Sequence, residues 1–217
     1  LAELLDEHWC QPGDASQLVT TEKNIGYGMA HNRAIVASTM DFHLLLNPDV
    51  LFDEHALANA VEFMVSNGDV VLLTPSVSNN QGGREYLNKR YPGVLVLLVR
   101  GFAPAFVRGI SRDRIAHYEM QDSEADTINH DIQLASGCFM LFRTDQLQRL
   151  GGFSDRFFLY FEDYDLSMRA REYGSITYVP DVKIVHYGGN AASKGIRHIF
   201  LFIRSAITFF SLYGWKW

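Results

Sequence analysis

The sequence predicts an α/β domain in which a largely parallel sheet is flanked by helices. Apolar runs at residues 42–46 and 70–73 indicate buried strands, and each run ends in a polar turn. A stretch with helical periodicity, residues 53–66, lies between them. Strands that alternate with helices favour parallel pairing, because each helix carries the chain back across the sheet.

Other elements follow from the same periodicity. Residues 24–40 predict a helix, residues 132–142 a strand, residues 162–173 a helix and residues 193–213 a last helix. Residues 1–9 keep helical spacing from the first position onward. We therefore expect the chain to begin inside a helix, with an upstream segment missing.

Composition indicates a globular protein in a reducing compartment. Hydrophobic residues make up 47% of the 217 residues and charged residues 20%, which suits one domain with a substantial core. The net charge of -6 argues against a nucleic-acid partner. Cys10 and Cys138 have no metal-ligand spacing, which fits free thiols and a cytoplasmic location.

A carboxylate stands just past the first predicted strand, in the turn Asn47-Pro48-Asp49. In open α/β sheets ligands bind at the carboxyl ends of strands, and one acid there could hold a divalent cation that holds phosphates. An ordinary polar turn explains the same residues. His186 ends a later strand, and its imidazole suits Mn²⁺, although a lone histidine is more often a hydrogen-bonded structural residue than a metal ligand.

Asn24, Gly26, Gly28 and Asn32 surround the start of the first predicted helix. Two glycines at this place let the backbone come close to a ligand. They also let a helix pack closely on a sheet, so the pattern leaves both interpretations open.

Glu162 and Asp163 follow an aromatic run that ends at Phe161. Acids in a first helical turn favour the helix dipole, so a helix start explains them. A general base is the alternative, because burial adjusts the pKa of a carboxylate toward accepting a proton from an alcohol.

Five segments, taken in order, carry a resemblance to a known family. They read Asn-x-Gly-x-Gly-x-Ala-x-Asn from Asn24, Leu-Asn-Pro-Asp from Leu46, Ala-Ser-Gly-Cys-Phe-Met-Leu from Ala135, Gly-Gly-Phe-Ser-Asp-x-Phe-Phe-Leu-Tyr-Phe-Glu-Asp-Tyr-Asp-Leu-x-x-Arg from Gly151, and His-Tyr-Gly-Gly from His186. This order resembles the family 2 glycosyltransferases, and within them the rhamnosyltransferase-like branch, over residues 24–217.

The resemblance implies a GT-A fold and the inverting transfer of a sugar in bacterial surface polysaccharide synthesis. The donor would be a nucleotide-diphosphate sugar, with L-rhamnose as the suggested sugar, and the acceptor a glycan or a lipid-linked hydroxyl. The resemblance makes Asp163 the catalytic base with Glu162 beside it, and Asp49 with His186 the ligands of Mn²⁺ or Mg²⁺. The residues it implies in donor or acceptor binding are Asn24, Gly26, Gly28, Asn32, Asn47, Ser136 and Gly137.

Residues 1–23 depart from the family pattern. They match neither of the two segments with which the family holds the nucleotide base, so the first strand–helix–strand unit is not expected here. This departure motivates a second hypothesis beside the leading one, a catalytically inactive remnant that serves as an interaction domain. A nucleotidyltransferase on a similar sheet is a weaker alternative, because the sequence has no triphosphate-binding loop.

The sequence divides into a GT-A-type domain, residues 1–192, and a C-terminal amphipathic helix, residues 193–217. Residues 194–217 hold four basic residues, seven aromatic residues and no acid. Such a helix could lie on the inner face of the cytoplasmic membrane, or it could pack on the domain or on a second copy of the chain. Arg204 in its middle argues against a simple membrane span.

Overall fold

A computed structural model describes residues 19–188 and 195–217. The helix expected at residues 1–9 lies outside these ranges. The elements in chain order are α1 (Tyr27–Ala37), β1 (Phe42–Leu46), β2 (Val50–Phe52), α2 (Ala56–Ser66), β3 (Val70–Ser78), β4 (Arg84–Glu85), α3 (Val94–Phe102), α4 (Ala105–Ile110), α5 (Arg112–Tyr118), β5 (Phe139–Arg143), α6 (Thr144–Arg149), α7 (Glu162–Ala170), β6 (Ser175–His186) and α8 (Ile196–Tyr213).

The six strands form one sheet in the order β1-β5-β3-β6-β2, with β4 beside β3. Of the five strand pairings in the described part of the chain, only that of β3 with β6 is parallel. The expectation of a largely parallel sheet was wrong, and the sheet is mixed. Strand β5 follows a long connection that contains helices α3, α4 and α5, and it runs antiparallel to both of its neighbours, β1 and β3.

Both faces of the sheet are buried. Leu72 and Phe142 face one apolar cluster, which helices α1, α6 and α7 cover. Leu73 and Phe139 face a second cluster, which α2 covers. Burial on both faces explains why these strands appear in the sequence as continuous apolar runs without alternation.

The predicted strand at residues 132–142 begins only at Phe139. Ile132 still donates to the Ile176 carbonyl of β6, but the residues just ahead of Phe139 make hydrogen bonds to α7 instead. The Ala135 N–H donates to Ser167 Oγ at 3.0 Å, and the Gly137 N–H donates to Asp163 Oδ2 at 3.1 Å. Residues 135–137 therefore form a loop that packs against α7 and are not part of strand β5.

Helix α8 packs on the domain through Phe209 and Phe210, both buried in a third apolar cluster. Its opposite side exposes large apolar side chains such as Phe200 and Ile196. By length and composition α8 is apolar enough to cross a membrane, with a mean hydropathy of 1.3. Core helices of soluble proteins pass the same test, so length and composition alone do not establish a membrane span for α8.

Candidate active site

The backbone just before α7 is strained. Tyr160 and Phe161 have φ angles of 69° and 64°, a left-handed conformation that costs a non-glycine residue about 1–3 kcal/mol. Helix α8 holds this turn. Ser205 Oγ donates to the Leu159 carbonyl at 2.8 Å, and the rings of Phe161 and Phe209 lie 5.3 Å apart between centroids. The turn places two acids at the start of α7.

These two acids, Glu162 and Asp163, form what we call the acid corner. Asp163 Oδ2 accepts a hydrogen bond from the Gly137 N–H at 3.1 Å, and Oδ1 accepts one from the Tyr164 N–H at 2.9 Å. On the other side of Gly137, the Tyr27 hydroxyl donates to the Gly137 carbonyl at 2.8 Å. The carboxylate of Asp163 is thus fixed by main-chain donors rather than by a basic side chain.

Burial raises the pKa of both acids. For Glu162 the cause is desolvation, with the neighbouring charge of Asp163 adding to it. For Asp163 desolvation also raises the pKa, while the hydrogen bonds from Gly137 and Tyr164 act in the opposite direction. A carboxylate with a raised pKa accepts a proton more readily, as a general base requires.

The third acid of this stretch, Asp165, has structural partners. Its Oδ2 pairs with Arg169 at 2.7 Å, and its Oδ1 accepts a hydrogen bond from the Tyr213 hydroxyl at 2.8 Å. Tyr213 is the last residue of α8. Asp165 therefore fastens α8 to α7.

Asp49 and His186 meet at the opposite end of the site, as the sequence predicts. Val50 lies opposite His186 in the β2–β6 pairing, and this register brings Asp49 beside the histidine. His186 Nε2 lies 3.7 Å from Asp49 Oδ1. That oxygen is buried and has no hydrogen-bond partner among the described residues.

A divalent cation fits between these two atoms. A cation about 2.1 Å from an oxygen and from a nitrogen can join ligand atoms up to about 4.2 Å apart. The unpartnered oxygen of Asp49 and the nearby imidazole nitrogen of His186 match that need. Within residues 19–188 and 195–217, no cluster of three or more His, Cys, Asp or Glu side chains is placed to hold a metal ion. A cation here would need further ligands from a bound phosphate or from water.

Residues 135–138, which we call the linking segment, join the two ends of the site. Gly137 in this segment binds Asp163, as described above. One residue on, the Cys138 carbonyl accepts a hydrogen bond from the Asn47 N–H at 3.0 Å. Ser136 Oγ accepts one from the Cys138 N–H at 3.4 Å. Asp49 lies two residues beyond Asn47, so the segment has the base candidate on one side and the metal candidates on the other.

The two glycines at the start of α1 make close packing contacts. Gly26 has a φ of 88°, and a Cβ there would lie 2.5 Å from the Phe158 carbonyl oxygen. A Cβ at Gly28 would lie 2.6 Å from Phe153 Cβ. Of the two interpretations open from the sequence, these contacts match close packing. Binding of donor or acceptor by these glycines stays a prediction.

Both asparagines near α1 also have partners within the fold. Asn32 donates to the Phe153 carbonyl and accepts from the Phe153 N–H, each at 2.8 Å. Asn24 Oδ1 accepts a hydrogen bond from the Gly26 N–H at 3.0 Å. Asn32 thereby fixes α1 to the loop that leads to the acid corner, and a ligand role for either asparagine stays a prediction.

Glu85 is a member of the site that sequence reasoning missed. Its Oε2 lies 3.0 Å from His186 Nδ1. Glu85 reaches this place through the two-residue strand β4, where it lies opposite Val77 of β3. A strand this short has no periodicity to detect, so the sequence carries no signal for the contact. Asp49, His186 and Glu85 together are called the histidine corner below.

The fold is that of the GT-A glycosyltransferases. Among solved structures it matches the mannosyltransferase PcManGT from Pyrobaculum calidifontis, determined in complex with GDP-Man and Mn²⁺. The TM-score is 0.57 at 18% sequence identity, over 95% of this chain and 50% of that chain. The fold class expected from the sequence is thus confirmed, with the correction to strand direction given above.

The chain belongs to the family described as glycosyltransferase like family 2, whose profile matches residues 2–199. It is 25% identical over 173 residues to rhamnosyltransferase WbbL of Escherichia coli (strain K12), which is 74% of this chain and 61% of that protein. It is 24% identical over 195 residues to an N-acetylglucosaminyl-diphospho-decaprenol L-rhamnosyltransferase of Mycobacterium tuberculosis (strain ATCC 25618 / H37Rv), which is 82% of this chain and 61% of that protein. The family resemblance seen in the sequence is confirmed, and the chain spans less than two thirds of either relative.

Proposed function

We propose that this chain carries the transfer site of an inverting, metal-dependent glycosyltransferase. It would move a sugar from a nucleotide-diphosphate donor to a hydroxyl of a glycan or lipid-linked acceptor. The observation that carries the proposal is the linking segment. Gly137 binds the base candidate Asp163, and Cys138 binds the turn that bears Asp49. A reacting sugar held beside this segment would have a base on one side and a diphosphate site on the other.

The relatives support the choice of substrates. Two of them are named as rhamnosyltransferases, and the name of one specifies a diphospho-decaprenol acceptor. PcManGT was determined with GDP-Man and Mn²⁺. For this chain, L-rhamnose as the donor sugar and a polyprenyl-diphosphate acceptor are proposals that rest on these similarities.

The described residues suit a single-displacement reaction. Asp163 takes the proton from the acceptor hydroxyl, whose oxygen then attacks the anomeric carbon on the face opposite the diphosphate. Inversion at that carbon follows from the single attack. Asp49 and His186 would hold the cation, which when bound neutralises the negative charge that develops on the leaving diphosphate.

Donor binding tests the proposal directly. Isothermal titration calorimetry with UDP-, dTDP- and GDP-sugars, each with Mn²⁺ or Mg²⁺, should give metal-dependent binding of one donor. Proton NMR of the product should then show an anomeric configuration opposite to that of the donor. No heat with any donor would favour the inactive-remnant alternative, and retention of configuration would exclude the single displacement.

A peripheral membrane contact is part of the proposal. Phe106, Ile110 and Trp217 are 71%, 84% and 78% exposed. The Val94 N–H donates to the Lys216 carbonyl at 2.7 Å, so α3 begins where α8 ends. Residues 94–118 and 195–217 together hold seven basic residues and one acid, although the whole chain has a net charge of -6. Exposed apolar side chains among basic ones suit an anionic lipid surface.

Liposome co-sedimentation tests this contact. Phe106→Ser combined with Ile110→Ser should reduce binding to vesicles that contain phosphatidylglycerol. Val36→Ser is the matched control, since Val36 is 80% exposed on α1. Equal binding by all three proteins would contradict the membrane contact and would favour burial of this surface against a second copy.

A further inference from the structure

We propose that Glu85 is the positioning residue for His186, and that it aims the imidazole at the cation shared with Asp49. This inference rests on the proposed function, because it takes Asp49 and His186 as metal ligands. It adds to them a residue that neither the family motifs nor the sequence pattern indicates.

The hydrogen-bond geometry defines the role. Glu85 Oε2 lies 3.0 Å from His186 Nδ1, and a carboxylate oxygen can only accept from an N–H. In the neutral ring the proton then sits on Nδ1, and Nε2 keeps its lone pair. Nε2 is the atom that lies 3.7 Å from Asp49 Oδ1. Glu85 thus selects the tautomer that leaves the metal-facing nitrogen free to coordinate.

The surroundings hold this arrangement in place. The His186 and Glu85 side chains are only 16% and 27% exposed, so water competes weakly for the Nδ1 bond. A Cβ at Gly188 would clash with the imidazole ring of His186, so the backbone lies close against that ring. Glu85 is fixed by the β3–β4 pairing, in which it lies opposite Val77. The backbone at Gly188 therefore fixes the position of the ring, and the carboxylate of Glu85 fixes its orientation.

A carboxylate behind a ligating histidine has a recognised effect. It fixes the ring and raises the basicity of the coordinating nitrogen, and its loss lowers metal affinity by about 10- to 100-fold. Glu85→Ala should therefore weaken Mn²⁺ binding by about that factor. Glu85→Gln keeps an acceptor oxygen but not the charge. Its Mn²⁺ affinity should therefore lie between those of wild type and Glu85→Ala.

Mn²⁺ titration followed by electron paramagnetic resonance measures this without reference to turnover. Wild type, Glu85→Ala, Glu85→Gln, His186→Ala and the double variant Glu85→Ala/His186→Ala would be compared, each with UDP and with dTDP as the diphosphate probe. Glu62→Ala is the matched control, because Glu62 is an exposed glutamate on α2. The double variant should bind Mn²⁺ no more weakly than His186→Ala alone, since Glu85 acts only through the histidine.

Nitrogen NMR of the imidazole provides the second readout. Long-range ¹H–¹⁵N spectra, with His186→Ala to assign the signal, should show the Nδ1-protonated tautomer in wild type and its loss in Glu85→Ala. If Glu85→Ala changed neither the Mn²⁺ affinity nor the tautomer of His186, the role of Glu85 would be overturned. The metal site itself would stand. Failure of the wild-type chain to bind Mn²⁺ at all would overturn the metal site and this inference with it.

Discussion

The acid corner and the histidine corner are built in different ways. The acids at the start of α7 lie behind a strained aromatic turn that α8 holds through a buried serine and a phenylalanine. The histidine corner lies on three strand ends, and its Asp49 oxygen has no partner among the described residues. Packing and main-chain hydrogen bonds set the geometry of the acid corner, where Glu162 Oε2 is also buried without a partner among the described residues. In the histidine corner the buried oxygen of Asp49 lies 3.7 Å from an imidazole nitrogen, a pair of ligand atoms that a cation could join.

This difference separates what each corner contributes. A base must already point at the acceptor before the reaction, and rigid packing achieves this. A cation and its diphosphate bind and leave in every turnover, so the residues that hold them need accessible ligand atoms. We therefore expect changes in the acid corner to affect the rate, and changes in the histidine corner to affect binding.

Asp163→Asn should give the largest effect. The amide cannot accept the acceptor's proton, so transfer should fall by about 10²- to 10⁴-fold. Donor binding should change little, because the amide oxygen can still accept the bond from Gly137. Rates from radiolabelled donor, with affinity from calorimetry, separate the two. Asp155→Asn, an exposed acid in the preceding loop, is the control, and a parallel loss of donor binding would contradict the division between corners.

Asp49→Ala should mainly weaken donor binding, whereas Asp163→Asn should mainly lower the transfer rate. It removes a proposed metal ligand. Loss of a residue that only hydrogen-bonds to a metal ligand lowers metal affinity by roughly 10- to 100-fold, so Mn²⁺-dependent donor binding should weaken by at least that factor. Binding without metal should not change. Calorimetry with and without Mn²⁺ measures both, and Asp41→Ala, an exposed acid just before β1, is the control. An unchanged metal dependence would remove Asp49 from the site.

The sequence predicted the parts of the site that depend on local pattern. The Asn47-Pro48-Asp49 turn, His186 and the acids after Phe161 each stand at the end or start of a recognisable element, and the structure brings Asp49 to His186 and Asp163 to Gly137. Motif order supplied the rest, because no single segment was decisive.

What the sequence did not predict depends on long-range contacts. Glu85 is 101 positions from His186 in the chain, and it arrives on a strand of two residues. The role of α8 depends on the bond from Ser205 to Leu159, which crosses 46 positions. The direction of β5 is set by its antiparallel pairing with β1 and β3, after a long connection that contains three helices. Periodicity reports on burial within one element, and none of these three features belongs to one element.

Ser205→Ala tests whether α8 supports the acid corner. The change leaves the Leu159 carbonyl without its donor, so the free energy of unfolding should fall by about 1–2 kcal/mol. The Tyr160–Phe161 turn should loosen, and kcat should fall more than donor affinity does. Thr208→Ala is the control, because Thr208 Oγ1 bonds only to the Arg204 carbonyl within α8. Urea unfolding and steady-state kinetics measure the two effects, and equal changes in both variants would contradict the support role.

Glu162→Gln should give the smallest effect, and its sign depends on pH. Burial raises the pKa of Glu162 in the folded chain above the value of 4.5 that it has when exposed. Below that value both states are protonated, and the side chain carries no charge penalty. As the pH rises above 4.5, Glu162 ionises first in the unfolded chain. The free energy of unfolding of the wild type therefore falls until the pH passes the pKa of Glu162 in the folded chain. A glutamine avoids this loss, and its gain should be on the order of 1 kcal/mol at pH 8 and close to nothing at pH 4. Urea unfolding of the metal-free chain measures the gain, with the exposed Glu172→Gln as the control. A gain that is equal at both pH values would show that the benefit comes from packing, and the acid corner would then lack the buried charge that distinguishes it from the histidine corner.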